Sequence, residues 1–284
     1  DKIQRADLDG SNVGDVVTSG LVAPRGLALV SALTADPIVT TATDEQDGSC
    51  NDGSCSLRDA VAVATGGSTI TFAPGLSAGS TSTLSLGQIT LSQNVTIDGT
   101  ALDDGFTLDA DGSSRVFDVT GGGTATLRGL TLTCGDGDQG GGVLNAGTLT
   151  LDRVTVRGNT AGSFGSGLCN TGTLTPVNTT VSGNTAASSF GGGLYNSGTA
   201  TIVGATFSGN GASGTGHQLF NIASGTLHLV SSFFAGDQPG GAQCVSTGTI
   251  AINHYVFVQD GTCNTASGAG PVGFVSGDPK IGAL

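Results

Sequence analysis

The chain's paired aspartate, Asp103-Asp104, has the residue types of a glycosidic-bond hydrolase. That chemistry needs two carboxylates flanking the bond, one of them protonated. Here the pair sits in a turn-like stretch before Phe106 with no histidine nearby, and it reads as a solvated turn. His217, His228 and His254 are dispersed at intervals that match no metal motif, and His228 falls on an outward position of the alternating Thr-Leu-His-Leu. Asp7-x-Asp9-Gly and Asp109-x-Asp111-Gly offer the closely spaced oxygens that calcium favours, yet neither continues to the distal Glu of an EF-hand. They read as acidic turns, so the sequence predicts no metal, no cofactor and no catalytic group. Cys50 and Cys55 bracket a short loop, and Cys244 and Cys263 lie near the other end; no histidine neighbours either set. Disulfides in an oxidising, extracellular setting are expected, with Cys134 and Cys169 unassigned. Asn94-Val-Thr96 and Asn178-Thr-Thr180 match the N-glycan acceptor pattern.

Composition narrows the partners. Lys and Arg total 9 against 22 Asp and Glu, a net charge of -13, which disfavours nucleic acid and anionic membrane surfaces. No apolar run approaches the ~20 residues of a membrane span, and no basic-then-apolar signal peptide opens the chain. The lack of methionine points to a processed mature chain or an excerpt of a longer one. With 50 glycines in 284 residues, 11% charged residues and many Ser, Thr, Val and Asn, the composition favours strands and tight turns over helices. Only seven prolines and no Gly-X-Y period exclude collagen; 37% hydrophobic residues that alternate argue against disorder.

The positioning elements come from an internal repeat. Gly147-Thr-Leu-Thr-Leu-Asp-Arg-Val-Thr-Val-Arg-Gly-Asn159 recurs from Gly172 to Asn184 and from Gly198 to Asn210, about 25 residues apart. A second signature keeps the same period and ends on Asn145, Asn170, Asn196 and Asn221. Apolar residues alternate within each unit, which is the period of a strand. A single unit cannot bury its apolar face, whereas stacked units form a column in which each strand pairs with its counterparts above and below. The expected fold is all-β, a parallel β-helix (solenoid) of roughly eight coils and ~40 Å length. A leucine-rich repeat also fits Leu151-x-x-Val154-x-Val156-x-x-Asn159, but its returning helix is replaced by Gly-Ser-Phe-Gly-Ser-Gly. At the corners, Gly and Asn tolerate positive φ, and stacked Asn side chains can hydrogen-bond between layers. Asn159, Asn184 and Asn210 form one expected ladder, and the second signature's four asparagines form another. Earlier segments, Thr69–Phe72, Leu84–Leu86, Ile89–Leu91, Val95–Gly99 and Val116–Val119, read as the first coils. Leu57, Ala60, Val61 and Ala64 fall on one helical face, suited to covering the solenoid's open end.

Cys55-Ser-Leu-Arg-Asp-Ala60 resembles the Cys-Ser-Leu-Arg-Glu-Ala motif that opens a class of secreted bacterial right-handed parallel β-helix proteins, with flanking strands matched by Ile38–Asp44 and Thr69–Pro74. The Gly-Gly-x-Leu-x-Asn and Phe207-Ser-Gly-Asn210 repeats are similar to those of chlamydial polymorphic outer-membrane proteins, which are surface adhesins. The resemblance spans about 36 to 284 and implies a right-handed coil, export and a surface role. Asp278-Pro-Lys-Ile-Gly282 also resembles a family motif, without its usual Asn-Gly-Gly-Pro-Thr continuation. Residues 2–29 are similar to one repeat of the Tyr-Trp-Thr-Asp β-propellers, with Val30 where an aspartate is expected. The polysaccharide lyases and hydrolases built on this fold carry clustered calcium-binding aspartates, or Gly-His-Gly and Arg-x-Lys beside paired aspartates, and this chain has no such set.

The expected organisation is a strand-rich segment 1–35, a leading strand, Cys loop and capping helix over 36–65, and the solenoid over 66–284. The function expected is a non-catalytic structural or adhesive protein, extracellular or on a bacterial cell surface. It could assemble head to tail with further copies of itself, residues 1–35 donating a strand to terminal coils at about 66–100 or 246–284. Surface glycans are the other expected partner. Two alternatives stand: a β-helix polysaccharide lyase or hydrolase, and a monomeric carbohydrate-binding adhesin module of a longer chain.

Overall fold

A computed structural model describes residues 3–5, 14–17, 36–76, 79–187, 190–236, 241–260, 262–263 and 274–275, in two compact units, Asp1–Ala35 and Asp36–Leu284. In the first unit, Ile3–Arg5 pairs antiparallel with Gly14–Val17. Asp7 and Asp9 lie outside the described residues.

The second unit is a parallel β-solenoid. Its first sheet has nine strands, from Ile38–Val39 and Ser68–Phe72 through Asn94–Asp98 and Thr148–Asp152 to Thr249–His254. The second sheet also has nine, from Thr81–Thr83 to Phe274–Val275, and the third has seven, from Ile89–Leu91 to Cys244–Ser246. A fourth, short sheet of four strands (Asp136–Gln139, Thr160–Phe164, Thr185–Ala186, Gly211–Ala212) fills one corner. Each turn visits the first, second and third sheets in that order, so every strand pairs with its equivalents one turn away.

The alternating pattern places one set of side chains inside. Val95, Ala125, Leu149, Leu174, Ala200 and Leu227 stack along the first sheet, each opposite the next and each fully buried. Leu108, Leu132, Val156, Val181, Phe207 and Phe234 do the same along the second. At ~25 cal/mol per Å2 of apolar surface, such columns dominate the favourable free energy. About seven turns result, where the repeat alone predicts roughly eight. The opening turns are longer: Ser68 lies opposite Val95, and Val95 opposite Ala125, so two turns consume 57 residues (125 minus 68).

The expected strand Leu84–Leu86 is a correction. The ladder strand is Thr81–Thr83, and the chain leaves it at Leu84: the Ser85 amide turns back onto Thr83 O (3.0 Å) and the Leu86 amide donates to the Asp44 carboxylate (2.8 Å). A second correction concerns the corners. The ladder asparagines do not take positive φ; the preceding Gly158, Gly183 and Gly209 do, at φ +62°, +62° and +60°. Glycine bears the left-handed backbone at no steric cost and frees the asparagine to aim inward.

Side chains pack against both ends of the third sheet. Ser56 caps the helix Leu57–Val63 through the Asp59 amide (3.0 Å), and the Asp59 carboxylate accepts from Ser56 Oγ and the Gly48 amide. Arg58 pairs with Asp44 (2.8 Å) and donates to the carbonyls of Gly87 and Gln88 in front of the first strand of that sheet. Leu57, Ala60, Val61 and Ala64 join the core, and Cys55 pairs with Cys50. At the far end, Asp260 accepts from the Gln243 amide (2.8 Å), Thr262 Oγ1 from the Cys244 amide (3.0 Å), and Cys263 is joined to Cys244.

At the corner between the third and first sheets, a Cβ on Gly172 would stand against the carbonyl oxygen of Gly147, whereas one on Gly122 would meet open space. Chemical denaturation should show Gly172→Ala losing about 2 kcal/mol or more, with Gly122→Ala within about 0.5 kcal/mol of the parent.

Candidate functional site

Two buried amide ladders run along the solenoid. Asn145 Nδ2 donates to Asn170 Oδ1, Asn170 to Asn196 and Asn196 to Asn221, each at 2.7 Å, and Asn221 donates to Ser246 Oγ at 3.0 Å. In the second, Asn159 donates to Asn184 (2.9 Å) and Asn184 to Asn210 (2.8 Å), and each also donates to a carbonyl of an earlier turn. All seven are at most 1% exposed. Sequence reasoning missed the continuation: Asn210 donates to Gln218 Oε1 (2.6 Å) and Gln218 to Gln243 Oε1 (2.9 Å). The available signal was Gln218 standing before Leu219, where earlier turns have Gly167 and Gly193 before leucine. These asparagines are engaged inside the coil and present nothing outward.

The other predicted residues are scattered over the surface. Asp103 and Asp104 are exposed beside Arg153 and Thr155 in a shallow hollow of about 310 Å3. Asp109 is held by its own turn, accepting from the Asp111 amide (2.8 Å), and among the described residues no three His, Cys, Asp or Glu side chains converge on a metal position. His217 is buried, its Nδ1 accepting from the Ala212 amide (2.9 Å); burial, opposed by Asp260, holds its pKa below the ordinary value. His228 faces outward beside Thr201, and the His254 side chain lies outside the described residues. Asn94 and Asn178 are both exposed, Asn178 at φ +49°. Among the described residues no helix is long and apolar enough to cross a membrane.

What the fold does assemble is a set of outward ranks. On the first sheet, inward Leu149 and Leu151 leave Thr148, Thr150 and Asp152 outward, and the in-register pairing repeats that choice turn after turn. The outermost rank there is charged at one end: Arg128 lies between Asp98 (3.7 Å) and Asp152 (3.5 Å). Burial pushes the Asp98 carboxyl up, but hydrogen bonds from Thr100 and the Arg128 charge outweigh it and hold the pKa below the usual value. On the third sheet the outward rank is Leu144, Cys169, Tyr195, Phe220 and Val245. Phe164 stacks on Tyr195 (4.7 Å) and Phe190 on Phe220 (4.6 Å), giving an apolar stripe along one side. Sequence reasoning did not find it, because Phe164 and Phe190 sit in the irregular part of the repeat.

Asn184→Ala should cost about 3 kcal/mol or more in denaturant unfolding, since it strands buried groups on Asn159, Asn210 and Val156. The two free cysteines should separate cleanly. Cys134 is exposed, while Cys169 is buried with its thiol pushed up to about 12, chiefly by burial. Titration with a thiol reagent should modify Cys134 in the native protein and reach Cys169 only on unfolding. No family model, no curated protein and no solved structure matches this chain.

Proposed function

We propose that the chain is a non-catalytic extracellular structural protein: a disulfide-linked β-solenoid that works by contact along its sheet faces, on a cell surface or in a fibre. The observation that carries this reading is the repeated parallel pairing of the two nine-stranded sheets over two buried amide ladders, which stacks outward residues in ranks from turn to turn. A scaffold of this kind is rigid and repetitive, as adhesive and structural contacts require, and the disulfides suit an oxidising exterior. The aromatic stripe of the third sheet supplies apolar contact area for adhesion, surface glycans included.

Copies join head to tail, with residues 1–35 as the donor. Strand addition uses an outermost strand, which is Ile38–Val39 or Thr249–His254 in the first sheet and Thr81–Thr83 or Phe274–Val275 in the second. Electron microscopy and sedimentation of the full chain and of a chain lacking residues 1–35 test this. Filaments from the first and single particles with native circular dichroism from the second are expected. Equal polymerisation of both, or a full chain that stays monomeric at high concentration, would refute the joint.

A further inference from the structure

We propose that the outward face of the first sheet binds ice. This goes beyond the structural role above and does not depend on head-to-tail assembly. One rank of that face is Thr124, Thr148, Thr173, Thr199, Thr226 and Thr249, each opposite the next. The rank beside it, two residues along each strand, is Thr69, Thr96, Thr126, Thr150 and Thr175, with Thr201 next in line by the register of Leu174 with Ala200. The inward residues between them are fully buried, so both ranks stand on the same outer side. Within a rank the hydroxyls repeat at the strand spacing of ~4.8 Å, and between ranks at the two-residue rise of ~6.6 Å. Those two repeats come close to the oxygen spacings on the faces of hexagonal ice.

Threonine suits such a surface better than serine. Branching at Cβ restricts χ1, so each hydroxyl holds one position, and the methyl group orders the water around it while the hydroxyl hydrogen-bonds that water. The positions flanking the two ranks are neutral as well: Asn94 opposite Thr124, and His228 opposite Thr201. Charge lies at the edges of the array: Asp36, whose carboxylate accepts from the Thr69 amide (2.9 Å), at one end, and Asp98, Arg128 and Asp152 in the third rank. The scaffold beneath is held in register by the amide ladders, which keeps the array from distorting on contact. The second sheet makes an internal comparison. It also has a threonine rank through Thr107, Thr131, Thr155, Thr180 and Thr206, but the neighbouring rank contains Asp109 and Arg157, and Phe233 and Phe257 interrupt the hydroxyls. A crystalline polysaccharide would be met by rows of aromatic rings, and those lie on the third sheet.

The test uses the full chain labelled at a surface amine, with incorporation into a slowly growing ice hemisphere and inhibition of ice recrystallisation as readouts. The parent should enter the ice and arrest recrystallisation. Thr150→Tyr and Thr175→Tyr keep a strand-favouring residue but spoil the array, and should lower activity about tenfold or more each. Thr155→Tyr and Thr180→Tyr on the second sheet should leave it within about twofold. Melting curves verify folding, and Thr150→Ser, which removes only the methyl group, should give a partial loss if the tyrosine variant does not fold. Exclusion of the parent from ice, equal losses from the two sheets, or partition onto crystalline cellulose or chitin but not ice would overturn the proposal.

Discussion

The solenoid depends on the rule that a buried amide must be hydrogen-bonded, and that each ladder asparagine finds its partner in the equivalent asparagine one turn away. A buried side-chain amide without a partner costs on the order of 1–3 kcal/mol. Here the donor of one turn meets the acceptor of the next, so the requirement passes along the coil: every turn must return an amide to the same position. Slipping a strand by one residue would turn the amide outward and an outward residue in, which makes the register sharply specified. All bonds within each ladder point the same way along the axis, so the dipoles reinforce one another. Where the asparagines stop, other groups take over: Ser246 accepts from Asn221, and Gln218 and Gln243 extend the second ladder. At the other limit Asn145 lies opposite Val119, and its Oδ1 has no partner.

A stack of identical turns has no intrinsic end, and an unprotected end would invite another chain. At the third sheet, local chemistry covers part of each end. The six residues from Cys55 to Ala60 supply, in order, a disulfide, a helix cap, a core leucine, an arginine tied to Asp44 and to two carbonyls, an aspartate holding the cap and the Gly48 amide, and a buried alanine. At the other end a short return of the chain uses Asp260 and Thr262 as substitutes for the carbonyls of a further turn, fixed by the Cys244–Cys263 bridge.

The three long faces share one interior logic and differ outside. Threonine dominates the first, hydroxyls mixed with charge and phenylalanine the second, and an apolar stripe the third. With so few charged residues in the chain, these differences in hydroxyl and aromatic content distinguish one face from another more than the distribution of charge does.

The sequence by itself determined the fold class. Its period of about 25 residues, its alternation and its recurrent Gly-Asn pairs leave stacked parallel strands as the arrangement that buries each unit, and the ladder asparagines could be named because they recur at one phase of that period. The four disulfide cysteines were legible as candidates, Cys50 and Cys55 from their short loop, but the Cys244–Cys263 pairing was decided by the fold. What tertiary structure alone decided are features without a period. The opening turns vary in length, so the position of Thr81–Thr83 and the number of turns could not be read from the period. Gln218 replaces an asparagine from a different place in the repeat, which only the geometry of the corner reveals. The aromatic stripe combines residues from a strand with others from an irregular corner, and the two threonine ranks become a lattice only once in-register pairing sets the distance between turns. Periodicity dictates which residues face the same way; contact between turns dictates which of them meet.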